Sequence, residues 1–183
     1  HRQLHILPAQ GKPVAFTGEA CIEWCGHFLA DDFSVAGNML AGPQVVEASA
    51  AAYREAEGQP LAERLLAALA AGEAAGGDKR GKQAAALLIV TTEDYPFLTL
   101  RVDDHAEPFV ELRRLYDKSL ERFQPFAACL PRKAAPAGTT DECQAWIRIS
   151  NSLLGVANFL VIAHDDEGDI GFDRIIDLTG TAT

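Results

Sequence analysis

Three constellations in the 183 residues could do chemistry. The first is Asp78 and Arg80 in the loop Gly76-Gly77-Asp78-Lys79-Arg80-Gly81, directly ahead of an uninterrupted apolar run at 84–90. Glycine allows positive φ and close backbone approach, so the two charges are expected in a tight, well-defined turn at a sheet edge. On their own they read equally as a helix C-cap and a local ion pair. The second constellation is Asp103-Asp104-His105 and His164-Asp165-Asp166, each at the end of an expected strand. Oxygen and imidazole ligands of this kind suit a divalent metal, although such runs usually form solvated turns. The third is Cys25 with His27, two residues apart and so on one face of a strand. No oxyanion loop accompanies them, and His5 and His27 read as structural or surface residues. The chain has no Gly-x-Ser-x-Gly elbow, no phosphate-binding loop and no dinucleotide fingerprint after a strand.

Composition narrows the classes further. An apolar content of 48% supports a proper core, and the length suits one domain or a domain with an appendage. A formal net charge of −10 argues against nucleic acid and anionic membrane as partners. No apolar run approaches the ~20 residues of a membrane span, and the first residues do not form a signal peptide. Four cysteines are few for a disulfide scaffold and lack zinc-finger spacing, so reduced thiols in a cytoplasm are expected, with a Cys129–Cys143 bridge as the lesser alternative.

The elements that must position these residues read as follows. Alternation at 2–7 and again at 13–17, joined by a Pro- and Gly-containing turn, predicts a hairpin. A domain seldom opens on a strand at its second residue, so an N-terminal portion is expected to be missing. Residues 22–30 read as irregular or short strand, and 33–38 as a short strand. Helices are expected at 45–57, with Pro43 in the first turn, and at 60–71, where Leu61, Leu65, Leu66 and Leu69 form a stripe and Gly72 ends the helix. Strands at 84–90 and 98–102 precede a helix at 108–123 with Phe109, Leu112, Leu115, Tyr116 and Leu120 inward. Residues 126–140 read as linker. After them come an apolar stretch at 146–162, read as a helix and then a strand, an acidic turn, and a strand at 170–178. Strands on one side and paired helices on the other imply α+β layering with a mostly antiparallel sheet.

Six motifs carry a resemblance. Arg2-Gln3, Ala15-Phe16-Thr17-Gly18, Gly37-Asn38-Met39-Leu40-Ala41-Gly42, the helix at 61–69, the Gly76–Leu87 segment and Leu100-Arg101-Val102-Asp103-Asp104-His105 resemble, in that order, the bacterial family catalogued as domain of unknown function 1028. The resemblance spans roughly residues 2–115. The family is grouped with the N-terminal nucleophile hydrolases, which implies a four-layer αββα sandwich. It also implies amide hydrolysis by a terminal Thr, Ser or Cys whose own α-amine is the base. Two departures stand out. His1 cannot be that nucleophile, and the sequence beyond about residue 124 does not match. Within it, residues 158–172 resemble the family's opening strand–turn–strand, as a permuted or rearranged chain would.

Carried over, Asn38 looks like an oxyanion or substrate-orienting amide, and Asp78, Arg80, Arg101 and Asp103 like a polar cluster at the sheet edge. An Arg there would clamp a substrate carboxylate in bidentate fashion. The structural alternatives are a left-handed turn for Asn38 and loop-holding ion pairs for the charged residues. The reading is therefore an α+β core at 1–124 of the four-layer αββα type, lacking or rearranging the usual N-terminal strands, with an atypical extension at 125–183 as a candidate to complete the sheet. The expected function is hydrolysis of a small amide or cyclic amide, with Asn38, Asp78 and Arg80 catalytic and Arg101, Asp103 and Thr17 binding substrate. No cofactor or metal is required. A small-molecule substrate, a cytoplasmic location and a homo-oligomer, with a dimer covering an exposed sheet edge, complete it. The alternatives are a non-catalytic binding or scaffold domain of the same fold, and a metal-assisted hydrolase using Asp103, Asp104, His105 and His164.

Overall fold

The computed structural model describes residues 1–138 and the two short strands Phe159–Val161 and Ile175–Asp177. Expected elements elsewhere in 139–183 lie outside the described residues. The fold is mixed α+β, and every described strand pair is antiparallel. The chain divides into two compact units, His1–Asp117 and Lys118–Thr183.

In the first unit, β1 (Gln3–Ile6) and β2 (Val14–Thr17) form the expected hairpin, with Gln3 opposite Thr17 and Ile6 opposite Val14. Its turn holds Gly11 at φ +100°, a value that favours glycine. β3 (Gly26–Leu29) and β4 (Ser34–Gly37) pair next, with His27 opposite Ala36. Two helices follow, α1 (Pro43–Glu55) and α2 (Leu61–Ala74). Pro43 occupies the first helical turn, where a missing N–H costs nothing.

Gly72 does not end α2. The helix runs on to Ala74, and Gly72 is buried where the two helices touch. A Cβ there would lie 2.4 Å from Ser49 Oγ and 3.6 Å from Val45 Cγ1, so glycine serves helix–helix approach rather than termination. The expected leucine stripe is likewise split. Leu66 is buried and Leu65 packs on the core, while Leu61 and Leu69 are exposed, because the buried side of α2 runs through Ala62, Leu66 and Gly72.

β5 (Ala85–Val90) pairs with β6 (Pro96–Val102), and α3 (Pro108–Lys118) follows. The main core is built from one face of this hairpin (Leu87, Ile89, Leu98 and Val102), Ala62 and Leu66 of α2, and Leu112 and Tyr116 of α3. Period 2 in the strands and period 3.6 in the helices place these side chains together. A smaller core joins Phe33 to Ala50 and Tyr53, and Arg64 lies 3.9 Å above the Tyr53 ring.

The hairpins β1–β2 and β5–β6 also leave an apolar face in the open. Leu4, Ile6, Val14 and Phe16 are 49–59% exposed, and the register pairs Leu4 with Phe16 and Ile6 with Val14. Leu88 and Val90 point outward from β5 in the same way.

The second unit contains a π-helical turn, Ser119–Phe123, then α4 (Gln124–Ala128) and a tight turn paired at Arg132 and Ala135. The helical spiral therefore persists past Phe126, into the stretch expected to be linker. The wider π-helical turn advances the register, and Leu120, expected inward, is 44% exposed. β7 (Phe159–Val161) pairs with β8 (Ile175–Asp177), within two of the expected strand stretches. Cys21 and Cys25 are free thiols, as expected, whereas Cys129 is disulfide-bonded; Cys143 lies outside the described residues. Among the described residues, no helix is long and apolar enough to cross a membrane.

Candidate functional site

One side chain organises the polar end of the first two hairpins. Gln3 stands at the start of β1, half-buried, and its Nε2 donates to the carbonyls of Gly26 at 3.0 Å and Gly37 at 2.9 Å, with Thr17 Oγ1 3.0 Å from the same nitrogen. Carbonyl oxygens only accept, so these contacts fix which end of the carboxamide is nitrogen. Its Oε1 then accepts from Asn38 Nδ2 at 3.3 Å. Thr17 Oγ1 lies 2.9 Å from His27 Nδ1. Of the residues singled out in the sequence, Asn38 and Thr17 are thus brought to the two ends of one carboxamide. Gln3 and His27 complete the group.

Asn38 is followed by Met39 at φ +58°, so the left-handed residue of this turn is Met39 rather than Asn38. The turn is held from two sides. Met39 N–H donates to Ile22 O at 3.1 Å and Leu40 N–H to Trp24 O at 3.0 Å. On the other side Ala41 N–H donates to Gly77 O, and Lys79 N–H to Met39 O, both at 2.9 Å. Leu40 and Asp78 form an antiparallel bridge between these bonds. The bridge stops there, because Lys79 and Arg80 form a turn in which Gly81 N–H donates back to Asp78 O at 2.9 Å.

The glycine loop is as tight as its composition implies. Gly76, Gly77 and Gly81 have φ of +120°, +51° and +101°. A Cβ on Gly77 would meet Glu73 Oε2 at 2.2 Å. Inside the loop, Asp78 Oδ1 accepts from the Arg80 backbone N–H at 2.8 Å, and Arg80 Nη2 donates to Asp78 Oδ2 at 2.6 Å. The Arg80 guanidinium hydrogen bond holds the Asp78 carboxyl well below the usual range, at about 2. Asp78 and Arg80 border an open groove of about 960 Å³ between this loop, α2 and the residues after β6. Lys82 on its wall bridges Glu73 at 3.3 Å and Glu107 at 2.6 Å, and the Glu107 contact raises its pKa.

Arg101 and Asp103 form a second ion pair at 2.6 Å, two-thirds to three-quarters exposed. They border the outward face of β5 and β6, a different groove from that of Asp78 and Arg80. Asp104 accepts from Gln83 Nε2 at 3.0 Å, and His105 Nδ1 accepts from the Glu107 N–H at 3.0 Å. Among the described residues no three His, Cys, Asp or Glu side chains converge to hold a metal, and His164 lies outside them. Cys25 Sγ faces the Cys21 carbonyl at 3.9 Å, and the hydroxyl partner of His27 is Thr17.

Sequence reasoning named Thr17 and Asn38 but not Gln3 or His27 as functional. The signal for Gln3 was present. A short hairpin over 3–17 must place residue 3 against residue 17. His27 needed the approach of β3 to β2, strands of two separate hairpins, which no local pattern encodes.

The chain matches the model of a family described as a family of unknown function (DUF1028) over residues 1–112. Among solved structures it is similar to protein SPO2555 from Silicibacter pomeroyi, itself described as DUF1028, at 31% identity and a TM-score of 0.61. That similarity covers 70% of this chain and 55% of the other, so the chain spans little more than half of that relative's length. None of the curated proteins matches it. The motifs, the family match and the shared fold agree: the chain belongs to the DUF1028 family.

Proposed function

We propose that this protein hydrolyses a small amide, linear or cyclic, on the four-layer αββα sandwich of the N-terminal nucleophile hydrolases. The observation that carries the reading is the bridge between two turns. Asn38, an exposed carboxamide oriented by Gln3, lies two residues before Leu40, and Leu40 bridges Asp78, the carboxylate that orients the exposed guanidinium of Arg80. A carboxamide N–H suits a carbonyl oxygen on which charge develops, and a guanidinium edge suits a carboxylate on the same substrate. The open apolar faces of β1–β2 and β5 support the layered architecture, since a second sheet is what would cover them. Arg101 and Asp103 border the outward face of β5–β6 and take no part in this arrangement.

The test is ammonia or amine release from a panel of small linear and cyclic amides. Asn38→Ala is expected to lower kcat by about 100-fold, the usual effect of one oxyanion donor. Arg80→Ala is expected to raise KM for carboxylate-bearing amides and to leave neutral ones unchanged. Turnover indifferent to Asn38→Ala would overturn the reading. Binding of such amides with no turnover would replace it with that of a non-catalytic binding domain.

A further inference from the structure

We infer that Thr17 and His27 form a nucleophile–base pair that accepts an acyl group from an amide or activated ester. This rests on the amide-hydrolase reading for its natural substrate, and on geometry for its chemistry.

Gln3 Nε2 carries two hydrogens, and the carbonyls of Gly26 and Gly37, which can only accept, lie 3.0 and 2.9 Å from it. Thr17 Oγ1, 3.0 Å from the same nitrogen, keeps its own hydrogen for another partner. His27 Nδ1 stands 2.9 Å from that oxygen, and in the tautomer with the ring hydrogen on Nε2 it accepts from the hydroxyl. A hydroxyl beside an unprotonated ring nitrogen at this distance is the arrangement that general-base activation needs. Thr17 is half-buried and His27 exposed, so the pair opens to solvent at the rim of the network.

Asn38 supplies the remaining part. One Nδ2 hydrogen goes to Gln3 Oε1, and the second is left for a carbonyl oxygen. Gln3 thus lies against the nucleophile at its nitrogen end and orients the oxyanion donor from its oxygen end. A second hydroxyl–imidazole contact, Ser34 Oγ to His5 Nδ1 at 2.7 Å, serves as the internal comparison. Among the described hydrogen bonds, no carboxamide lies against that pair.

The steps balance with water as the only co-reactant. Thr17 Oγ adds to the acyl carbon while its proton passes to His27 Nδ1, and the carbonyl oxygen takes up negative charge beside Asn38 Nδ2. The tetrahedral adduct collapses, the bond to the leaving nitrogen or oxygen breaks, and His27 returns the proton to that group. Water then adds to the Thr17 ester and gives a proton to His27. The ester bond breaks, and Thr17 recovers its hydrogen as the carboxylic acid leaves.

The experiment treats the full chain with p-nitrophenyl acetate, follows p-nitrophenolate release, and maps the acetyl group by peptide mass spectrometry. Acetyl on Thr17 is expected, with release falling about 100-fold in Thr17→Val and in His27→Gln. Thr17→Ser is expected to keep the label, which guards against loss through misfolding, and Ser34→Ala to be unchanged. Acetyl found only on amines, or release in Thr17→Val equal to wild type, would overturn the assignment. The two readings part company cleanly. Acetyl-Thr17 without turnover of any amide retains the pair and removes the amidase. Amide turnover unaffected by Thr17→Val does the reverse.

Discussion

Gly72 of α2 and Ser49 of α1 meet so closely that a Cβ on Gly72 would stand 2.4 Å from Ser49 Oγ. Two effects oppose each other in Gly72→Ala. Alanine favours the helix by about 1 kcal/mol over glycine, whereas overpacking costs about 1–3 kcal/mol. The clash is expected to win, giving net destabilisation in urea unfolding. Ser49→Ala removes the struck atom, so the double variant should recover stability relative to Gly72→Ala alone. A double variant less stable than both singles would show that the helices are not held at this spacing.

Removing the amide of Gln3 should cost more than an ordinary surface change. Gln3→Leu leaves the carbonyls of Gly26 and Gly37 short of a donor and the Asn38 amide short of an acceptor. An unsatisfied buried polar group costs about 1–3 kcal/mol, and half-burial places the expected loss near the lower end. Chemical denaturation of the two proteins measures it directly.

Leu112 is fully buried between β5–β6 and α2 in the main core. Leu112→Ala is expected to lose about 2–5 kcal/mol, through lost apolar burial and the cavity left behind. Leu88→Ala, on the open face of β5, should change stability far less. Equal losses at the two positions would mean that the outward face is packed in solution.

Asp78 gives a pH dependence with a definite sign. Its carboxyl is held at about 2 in the folded chain, against an ordinary 3.8. A depressed folded value stabilises above the ordinary one, and the contribution disappears as the pH falls from about 4 through about 2. Asp78→Asn should flatten that stretch of the acid-unfolding curve and leave the curve above pH 5 parallel to wild type. The effect is modest because the pair faces solvent. An unchanged acid limb would show that Arg80 does not hold the carboxylate in solution.

Much of the fold was legible because its signals are local. Proline before 45, glycines about Asp78 and alternation at 2–7 and 13–17 each specify an element without reference to the rest of the chain. The errors came where a neighbour decides. Gly72 reads as a helix stop, but Ser49 makes it a packing position. Leu120 reads as inward until the π-helical turn at Ser119–Phe123 shifts the register. Of the candidate site residues, Asp78 and Arg80 border one groove and Arg101 and Asp103 another, a division that residue type does not show. His27 meets Thr17 only through a strand that approaches across space.

The Met39 turn carries a consequence for how the first unit assembles. Its three successive amides, Met39, Leu40 and Ala41, bond to Ile22, Trp24 and Gly77, so none is satisfied by its own neighbourhood. Contacts of such sequence separation must wait for long loops to close, and they are among the later ones to form. Amide hydrogen exchange at these three positions should therefore keep time with the opening of the whole unit rather than with fraying of any one hairpin or helix. Three adjacent peptide groups become a built-in clock for its folding.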